Sequence, residues 1–97
     1  MYNTSMKFSW DDKKAELNLR KHKVSFKEAS TVFSDPLAKL AFDPDHSKTE
    51  NRMILIGHSQ RSNLLFVVHV CKDEGETIRV ISARRATKNE KKDYEQL

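Results

Sequence analysis

Three apolar, β-prone runs separated by short polar turns occupy the second half of the chain, and they limit the possible folds more than any other feature. The runs cover residues 53–58, 64–70 and 77–83, and Ser, Asn, Asp and Gly are frequent between them. Short turns of this composition join neighbouring antiparallel strands, so the pattern predicts an antiparallel meander. Residues 37–42 form a further candidate strand, and residues 7–10 alternate polar and apolar side chains as a short strand would.

A helix-start signal precedes this sheet. Asp11, followed by a second aspartate, supplies a carboxylate that can accept the free backbone N–H groups of a first helical turn. The following residues predict a helix from about 13 to 21. Its apolar stripe is narrow, because it consists of Leu17 extended by Ala15 and Leu19.

A second helix is predicted over residues 26–33. Ser25 and Glu28 have the spacing of a capping box, in which each residue's side chain accepts a hydrogen bond from the other's backbone N–H. The apolar residues at helical spacing are Phe26, Ala29, Val32 and Phe33. Pro36 stops this helix, because proline has no N–H group and disfavours helix at the residue before it.

The tail, residues 85–97, is polar and helix-prone, and Thr87 and Glu90 repeat the capping-box spacing. These elements predict an α+β fold. Two N-terminal helices pack on one face of an antiparallel four-stranded sheet, and a helical tail follows. Because two helices can cover only one face, we expect the other face to be open. The length of 97 residues fits a single domain, 1–97.

Composition narrows the partners and the compartment. The net charge of +4 favours a polyanion such as nucleic acid, or an acidic protein, although a small basic excess also fits an ordinary solvated surface. The single Cys71 excludes an internal disulfide, which suits a reducing compartment. No run is long enough to span a bilayer and the N-terminus lacks a signal-peptide pattern, so we expect a cytoplasmic location and no membrane partner. The histidine spacings match no zinc pattern, and no metal or cofactor is expected.

Strand alternation indicates which arginine faces outward. In the last strand Ile78 and Val80 share one face, and Arg79 lies on the other. If the two apolar residues pack against the helices, Arg79 lies on the open face, where its guanidinium fork could match phosphate oxygens. The alternative is a solvated arginine paired with a carboxylate. Arg84 stands where this strand ends.

Other residues could contribute to a site on this sheet. Five arginines fall within or beside it, namely Arg52, Arg61, Arg79, Arg84 and Arg85, and together they could form one cationic surface that binds an RNA backbone. Plain surface charge is the alternative. His69 alternates with apolar residues, which favours a half-buried strand histidine, although an imidazole could also act as a general base. The candidate carboxylate bases are Asp45, Glu50 and Glu90, each of which could equally be a surface residue.

An ordered series of short matches extends along nearly the whole chain. The residues are Phe8-Ser9-Trp10-Asp11, Lys14, Asn18, 21–26, Glu28-Ala29, Val32-Phe33, Asp45, Glu50-Asn51-Arg52, Ile56-Gly57, Val67-Val68, 78–84, Ala86-Thr87, Glu90 and Tyr94. This series resembles the BrnT family. One departure lies after the first helix, where the family usually has Gly after Lys-His and this chain has Lys23-Val24. We expect it to change only the turn geometry.

The resemblance implies a RelE-like fold and an RNA-cleaving toxin of a bacterial type II toxin–antitoxin system. It also implies a BrnA-type antitoxin that neutralises the toxin and makes the DNA contacts of the complex. Our mechanistic hypothesis is metal-independent RNA cleavage in which Arg79 and Arg84 stabilise charge and Arg52 positions the backbone. His69 or Glu50 would be the base or acid. Arg61, Arg85 and Lys88 would bind RNA.

Two other functions fit the same composition. One is a catalytically inactive RelE-like binding partner or co-repressor. The other is a DNA-binding module that uses the basic stretch 13–27.

Overall fold

The computed structural model describes residues 6–43 and 51–96, which form an α+β fold. In chain order the elements are β1 (Lys7–Ser9), α1 (Asp12–His22), α2 (Phe26–Ser30), a 3₁₀ turn (Thr31–Ser34), β2 (Lys39–Phe42), β3 (Met53–His58), β4 (Leu64–Lys72), a 3₁₀ turn (Asp73–Gly75), β5 (Thr77–Arg85) and α3 (Lys88–Glu95). Asp45 and Glu50 lie outside the described residues. No helix in the described ranges is both long and apolar enough to cross a membrane.

The described strands form one five-stranded mixed sheet in the order β1-β5-β4-β3-β2. The antiparallel pairing of β2, β3, β4 and β5 is confirmed. The predicted sheet of four antiparallel strands was nevertheless wrong at one edge. There β1 pairs in parallel with β5, with Lys7 opposite Thr77 and Ser9 opposite Arg79. Alternation along a sequence identifies a strand but gives no information about its partner or its direction.

Local hydrogen bonds explain where the first two helices begin. Asp11 accepts the backbone N–H of Lys14 at 2.9 Å, and Ser25 Oγ accepts that of Glu28 at 3.0 Å. The Ser25–Glu28 capping box is only half formed, because the Glu28 carboxylate instead accepts hydrogen bonds from Ser59 and Asn63 in the β3–β4 turn. These bonds tie α2 to the end of the sheet. The helix is also shorter than predicted and continues as a 3₁₀ turn.

The core lies between α2 with its 3₁₀ turn and one face of the sheet. Phe26, Ala29 and Val32 are buried there as predicted, and Phe33 is partly buried. They pack against a group of buried sheet residues, namely Leu55, Leu65, Val67, Val80 and Ala83. This layer hides one face of the sheet, which we call the inner face. The opposite face is the outer face.

Helix α1 contacts the sheet differently from the prediction. Leu17 and Leu19 are 58% and 48% exposed, so of the expected apolar stripe only Ala15, which is partly buried, packs against the core. The buried residue is Asn18, whose amide donates to the carbonyl oxygen of Ala83 at 2.8 Å and accepts the backbone N–H of Ala83 at 3.1 Å. β1 ends at the level of Arg79, and beyond it the Asn18 amide pairs with the β5 edge in place of a neighbouring strand.

Candidate functional site

A β-bulge in β5 determines which side chains reach the outer face. Val80 lies opposite His69 and Ser82 lies opposite Val68, so Ile81 is an extra residue with no partner on β4. The buried positions of β5 shift accordingly, from Ile78 and Val80 to Ala83. Arg79 and Arg84 are five positions apart and would face opposite ways in a regular strand. The bulge places both on the outer face.

Arg79 lies in a basic pocket at one end of the outer face. A cavity of about 290 Å³ is lined by Lys14, Val70, Lys72, Arg79 and Ile81. Lys72 and Arg79 also line an adjoining cavity of about 320 Å³ together with Asp11. We call this region the Arg79 pocket. It gathers three cations, since Lys14 reaches it from α1 and Lys72 from the end of β4.

Asp11 is the carboxylate at the edge of this pocket. The backbone N–H of Lys14 holds the pKa of Asp11 below its usual value, and the charges of Lys14 and Arg79 act in the same direction. Asp11 therefore stays ionised. The region has three cations against one carboxylate, a balance that suits an anionic ligand.

Arg84 is held in a fixed orientation at the other end of the outer face. Its Nη1 and Nη2 donate to the two carboxylate oxygens of Glu90 at 2.8 and 2.9 Å. The guanidinium carbon lies 4.0 Å from the ring centroid of Phe66. The hydrogen bonds between Glu90 and Arg84 raise the pKa of Arg84 and lower that of Glu90, so both groups stay charged. Glu90 is thus the partner of Arg84 and is not placed as a free base.

Helix α3 crosses the outer face, which is therefore less open than predicted. The register aligns Lys39, Ile56, Phe66 and Arg84 in one row across four strands. Glu90 contacts Arg84 at one end of this row, and Lys39 donates to the backbone carbonyls of Asp93 and Tyr94 at the other. The predicted capping box at Thr87 and Glu90 is confirmed and starts this helix.

A polar cluster anchors the far end of α3. The Tyr94 hydroxyl donates to Asp35 Oδ2 at 3.0 Å, and the backbone N–H of His58 donates to the same oxygen at 2.7 Å. The His58 ring lies edge-on to Tyr94, with centroids 5.3 Å apart. Burial and the bond to Asp35 raise the pKa of Tyr94 to about 12. Burial alone would raise the pKa of Asp35, but these hydrogen bonds hold it below its usual value.

The single cationic surface predicted from five arginines is wrong, because two of them lie elsewhere. Arg85 is opposite the buried Leu65 and so belongs to the inner-face side of β5. Burial alone would raise the pKa of Glu28, but hydrogen bonds from the β3–β4 turn and the charges of Arg61 and Arg85 lower it. These two arginines therefore lie near Glu28 of α2. Lys88 is exposed at the first position of α3.

Arg52 directly precedes β3, and its carbonyl accepts the backbone N–H of Asp43 at 2.9 Å. Met53 pairs with His69, so the register places position 52 opposite Val70, in the row of Arg79. Arg52 is therefore at the same end of the sheet as the Arg79 pocket.

His69 does not belong to the candidate site, because it lies on the inner face. It is 0% exposed on the inner face, and its ring lies edge-on to Phe33 with centroids 4.8 Å apart. Burial lowers the pKa of His69 to about 4, so it is a neutral core residue. A base or acid at Arg79 would have to be on the opposite face of the sheet.

Lys14 and Lys72 were missed by sequence reasoning. Lys72 alternates with Val70 and belongs to β4, which extends two residues beyond the predicted run 64–70 into sequence that is typical of a turn. Lys14 carries no such signal, because its side chain reaches the pocket only through the position of α1 beside β5.

The fold and the site define a small α+β protein with an arginine-bearing sheet face suited to a polyanion. Comparison with known proteins narrows this class. A family model described as the ribonuclease toxin BrnT of type II toxin–antitoxin systems matches residues 10–90. The chain belongs to the BrnT family, and membership of a type II toxin family implies an antitoxin partner.

A solved structure agrees with this assignment. The ribonuclease toxin BrnT of Brucella abortus is 27% identical to this chain and superposes with a TM-score of 0.63. The match covers 86% of this chain and 99% of the Brucella chain. A comparison with curated proteins gave no match.

Proposed function

We propose that this chain is the toxin of a type II system and an endoribonuclease that cleaves RNA without a metal ion. We further propose that it has a RelE-like fold and acts in the cytoplasm, where it inhibits translation and growth until a BrnA-type antitoxin binds. DNA would be contacted only through that antitoxin. The observation that supports this proposal best is the bulge at Ile81, which brings Arg79 and Arg84 to the same face of the sheet in a chain of a ribonuclease family.

RNA cleavage of this kind uses the ribose 2′-hydroxyl as the nucleophile. The 2′-oxygen bonds to phosphorus while the bond from phosphorus to the 5′-oxygen breaks, which leaves a 2′,3′-cyclic phosphate and a 5′-hydroxyl. The phosphorane between these states carries additional negative charge. In our proposal Arg79, Lys14 and Lys72 stabilise that charge from the Arg79 pocket, and Arg52 helps to hold the backbone.

Two predicted carboxylate bases, Asp45 and Glu50, remain candidates for the proton transfers. His69 is buried on the inner face and cannot reach the substrate. Glu50 stays a proposed base, and the 5′-oxygen would take its proton from water. Positioning and charge stabilisation then carry most of the rate enhancement.

The test compares Arg79→Ala and Arg84→Ala with Arg20→Ala. Arg20 is the matched control, because it is a 73% exposed arginine paired with Glu16 on α1, outside the site. We expect Arg79→Ala to lower kcat/KM for RNA about 100-fold and to relieve growth arrest without antitoxin. The same reduction is expected when a chelator is present. Arg20→Ala should behave as wild type.

Other results would favour other functions. Full growth arrest by both Arg79→Ala and Arg84→Ala would contradict the role in RNA cleavage that we assign to these residues. RNA binding without cleavage by the wild type would indicate an inactive binding partner. Salt-dependent DNA binding by the isolated chain would indicate a DNA-binding module.

A further inference from the structure

The guanidinium of Arg84 has two edges that can each donate two parallel hydrogen bonds, and Glu90 occupies only one. Nη1 and Nη2 bind the Glu90 carboxylate, and Nη1 also donates to the carbonyl of Arg85 at 3.2 Å. The other edge consists of Nε–H and the second N–H of Nη2. Neither donor has a hydrogen-bond partner within residues 6–43 and 51–96, and the side chain is 35% exposed.

Contacts with Phe66, Glu90 and the carbonyl of Arg85 fix the plane of this guanidinium. Phe66 covers one surface of it, with the guanidinium carbon 4.0 Å above the ring centroid. Glu90 is itself fixed, because its Oε1 accepts the backbone N–H of Thr87 at 2.8 Å in the capping box of α3. The free edge is therefore held in one direction, and an arginine held this way loses little side-chain entropy when an anion binds.

The free edge lies apart from the Arg79 pocket, because the Arg84 guanidinium is held over Phe66 whereas Arg79 lines a cavity with Val70 and Lys72. Arg79 is opposite Val70 and Arg84 is opposite Phe66, four residues apart on β4. At about 3.3 Å per residue the two Cα atoms are about 13 Å apart along the strand. That span corresponds to roughly two phosphate steps of an extended RNA strand.

We propose that the free edge of Arg84 is a second phosphodiester subsite, and that Glu90 is a positioning residue that orients it. The inference rests on the proposed function in taking RNA as the ligand. One phosphate lies in the Arg79 pocket. A phosphate about two steps along the strand receives the Nε–H and Nη2–H donors of Arg84. The two subsites together select single-stranded RNA long enough to reach both.

A simple ion pair predicts the opposite effect of Glu90. If Glu90 only neutralises Arg84, removing its charge makes the surface more positive and RNA binds more tightly. If Glu90 orients the free edge, removing its second carboxylate oxygen loosens the guanidinium and RNA binds more weakly. The sign of the change therefore separates the two explanations.

The test measures binding of 2′-O-methyl RNA, which lacks the nucleophile, by the full chain and its Glu90→Gln variant. Glutamine is accepted at this position of a capping box, so α3 retains its start. An eight-nucleotide strand reaches both subsites and a three-nucleotide strand reaches only one. We expect Glu90→Gln to weaken binding of the longer strand about fivefold to tenfold and to leave the shorter strand within twofold.

Two further variants sharpen the experiment. Glu16→Gln is the matched control, because it makes the same change at the exposed Arg20–Glu16 pair on α1 and should alter neither strand. Arg84→Lys keeps the charge but loses the two-donor edge. It should weaken the longer strand as Glu90→Gln does, and the double variant should be no weaker than Arg84→Lys alone.

The outcomes distinguish this inference from the proposed function. Equal or tighter binding of the longer strand by Glu90→Gln overturns the positioning role, and so does equal weakening of both strands. No binding of the longer strand by the wild type overturns the subsite. A wild type that cleaves no RNA but shows the expected length dependence overturns the catalytic proposal and supports the subsite.

Discussion

Substituting Asn18 tests whether a side-chain amide takes the place of a neighbouring strand along β5, beyond the end of β1. Asn18 is 7% exposed and makes three hydrogen bonds, two with the backbone of Ala83 at 2.8 and 3.1 Å and one to the carbonyl of Val24 at 3.0 Å. Asn18→Ala removes all three. It leaves the N–H and carbonyl groups of Ala83, itself 0% exposed, without this partner.

The expected loss follows from the number of bonds. A typical intramolecular hydrogen bond contributes about 1 kcal/mol net, and a buried group left unpaired costs about 1–3 kcal/mol. Three bonds therefore give a loss of about 3 kcal/mol in the free energy of unfolding. That is a large fraction of the roughly 5–15 kcal/mol typical of a small domain. In a domain of this size it lowers Tm by roughly 12–24 °C.

The assay is urea denaturation followed by circular dichroism, together with hydrogen exchange of the Ala83 amide. We expect a lower midpoint with an unchanged slope and faster exchange at Ala83. Leu17→Ala is the control on the same helix, because Leu17 is 58% exposed and its loss should cost less than about 0.5 kcal/mol. A loss below 0.5 kcal/mol for Asn18→Ala, or a larger loss for Leu17→Ala, would refute this account of how α1 is held.

Three further predictions concern the core and the anchor of α3. Gly57→Ala should lower stability by about 1–3 kcal/mol in urea denaturation, because the new Cβ would lie 2.8 Å from the Cβ of Ala38, and an unchanged midpoint would contradict the packing. Because burial lowers the pKa of His69 to about 4, the unfolded chain binds the extra proton first, and stability falls as pH drops from about 6.5 to 4. His69→Leu should remove about 3 kcal/mol of that pH dependence, and identical pH profiles for the two proteins would show that His69 is not buried as a neutral group. Tyr94→Phe removes the hydroxyl that donates to Asp35 at 3.0 Å and should cost about 1 kcal/mol, with faster amide exchange in α3; unaltered exchange would mean that this bond does not anchor the helix.

Local chemistry made much of the fold predictable. The strand Met53–His58 has the predicted bounds, and Asp11, Ser25 and Thr87 cap helices where the sequence placed helix starts. Each of these features depends on residues within a few positions of one another. Their physics therefore acts along the chain and can be read from it.

The pairing of strands that are distant in the chain was harder to predict from the sequence. The parallel contact of β1 with β5 joins residues about 70 positions apart, as Lys7 opposite Thr77 shows. The identity of the buried residue in α1 has the same origin. Asn18 faces inward only because α1 lies along the free edge of β5, whereas apolar periodicity alone favoured Leu17.

Among the arginines, the orientation of Arg79 on the face opposite Ile78 and Val80 follows from the sequence, because alternation in a strand is a local property. The positions of Arg84 and Arg85 depend on the fold. The bulge at Ile81 brings Arg84 to the same face, and Arg85 lies on the inner-face side, near Glu28. The position of a bulge depends on the register with the neighbouring strand. An ion pair depends on which side chains the fold brings together. The direction of the free edge of Arg84 therefore depends on its contacts with Glu90 and Phe66, which only the folded chain brings together.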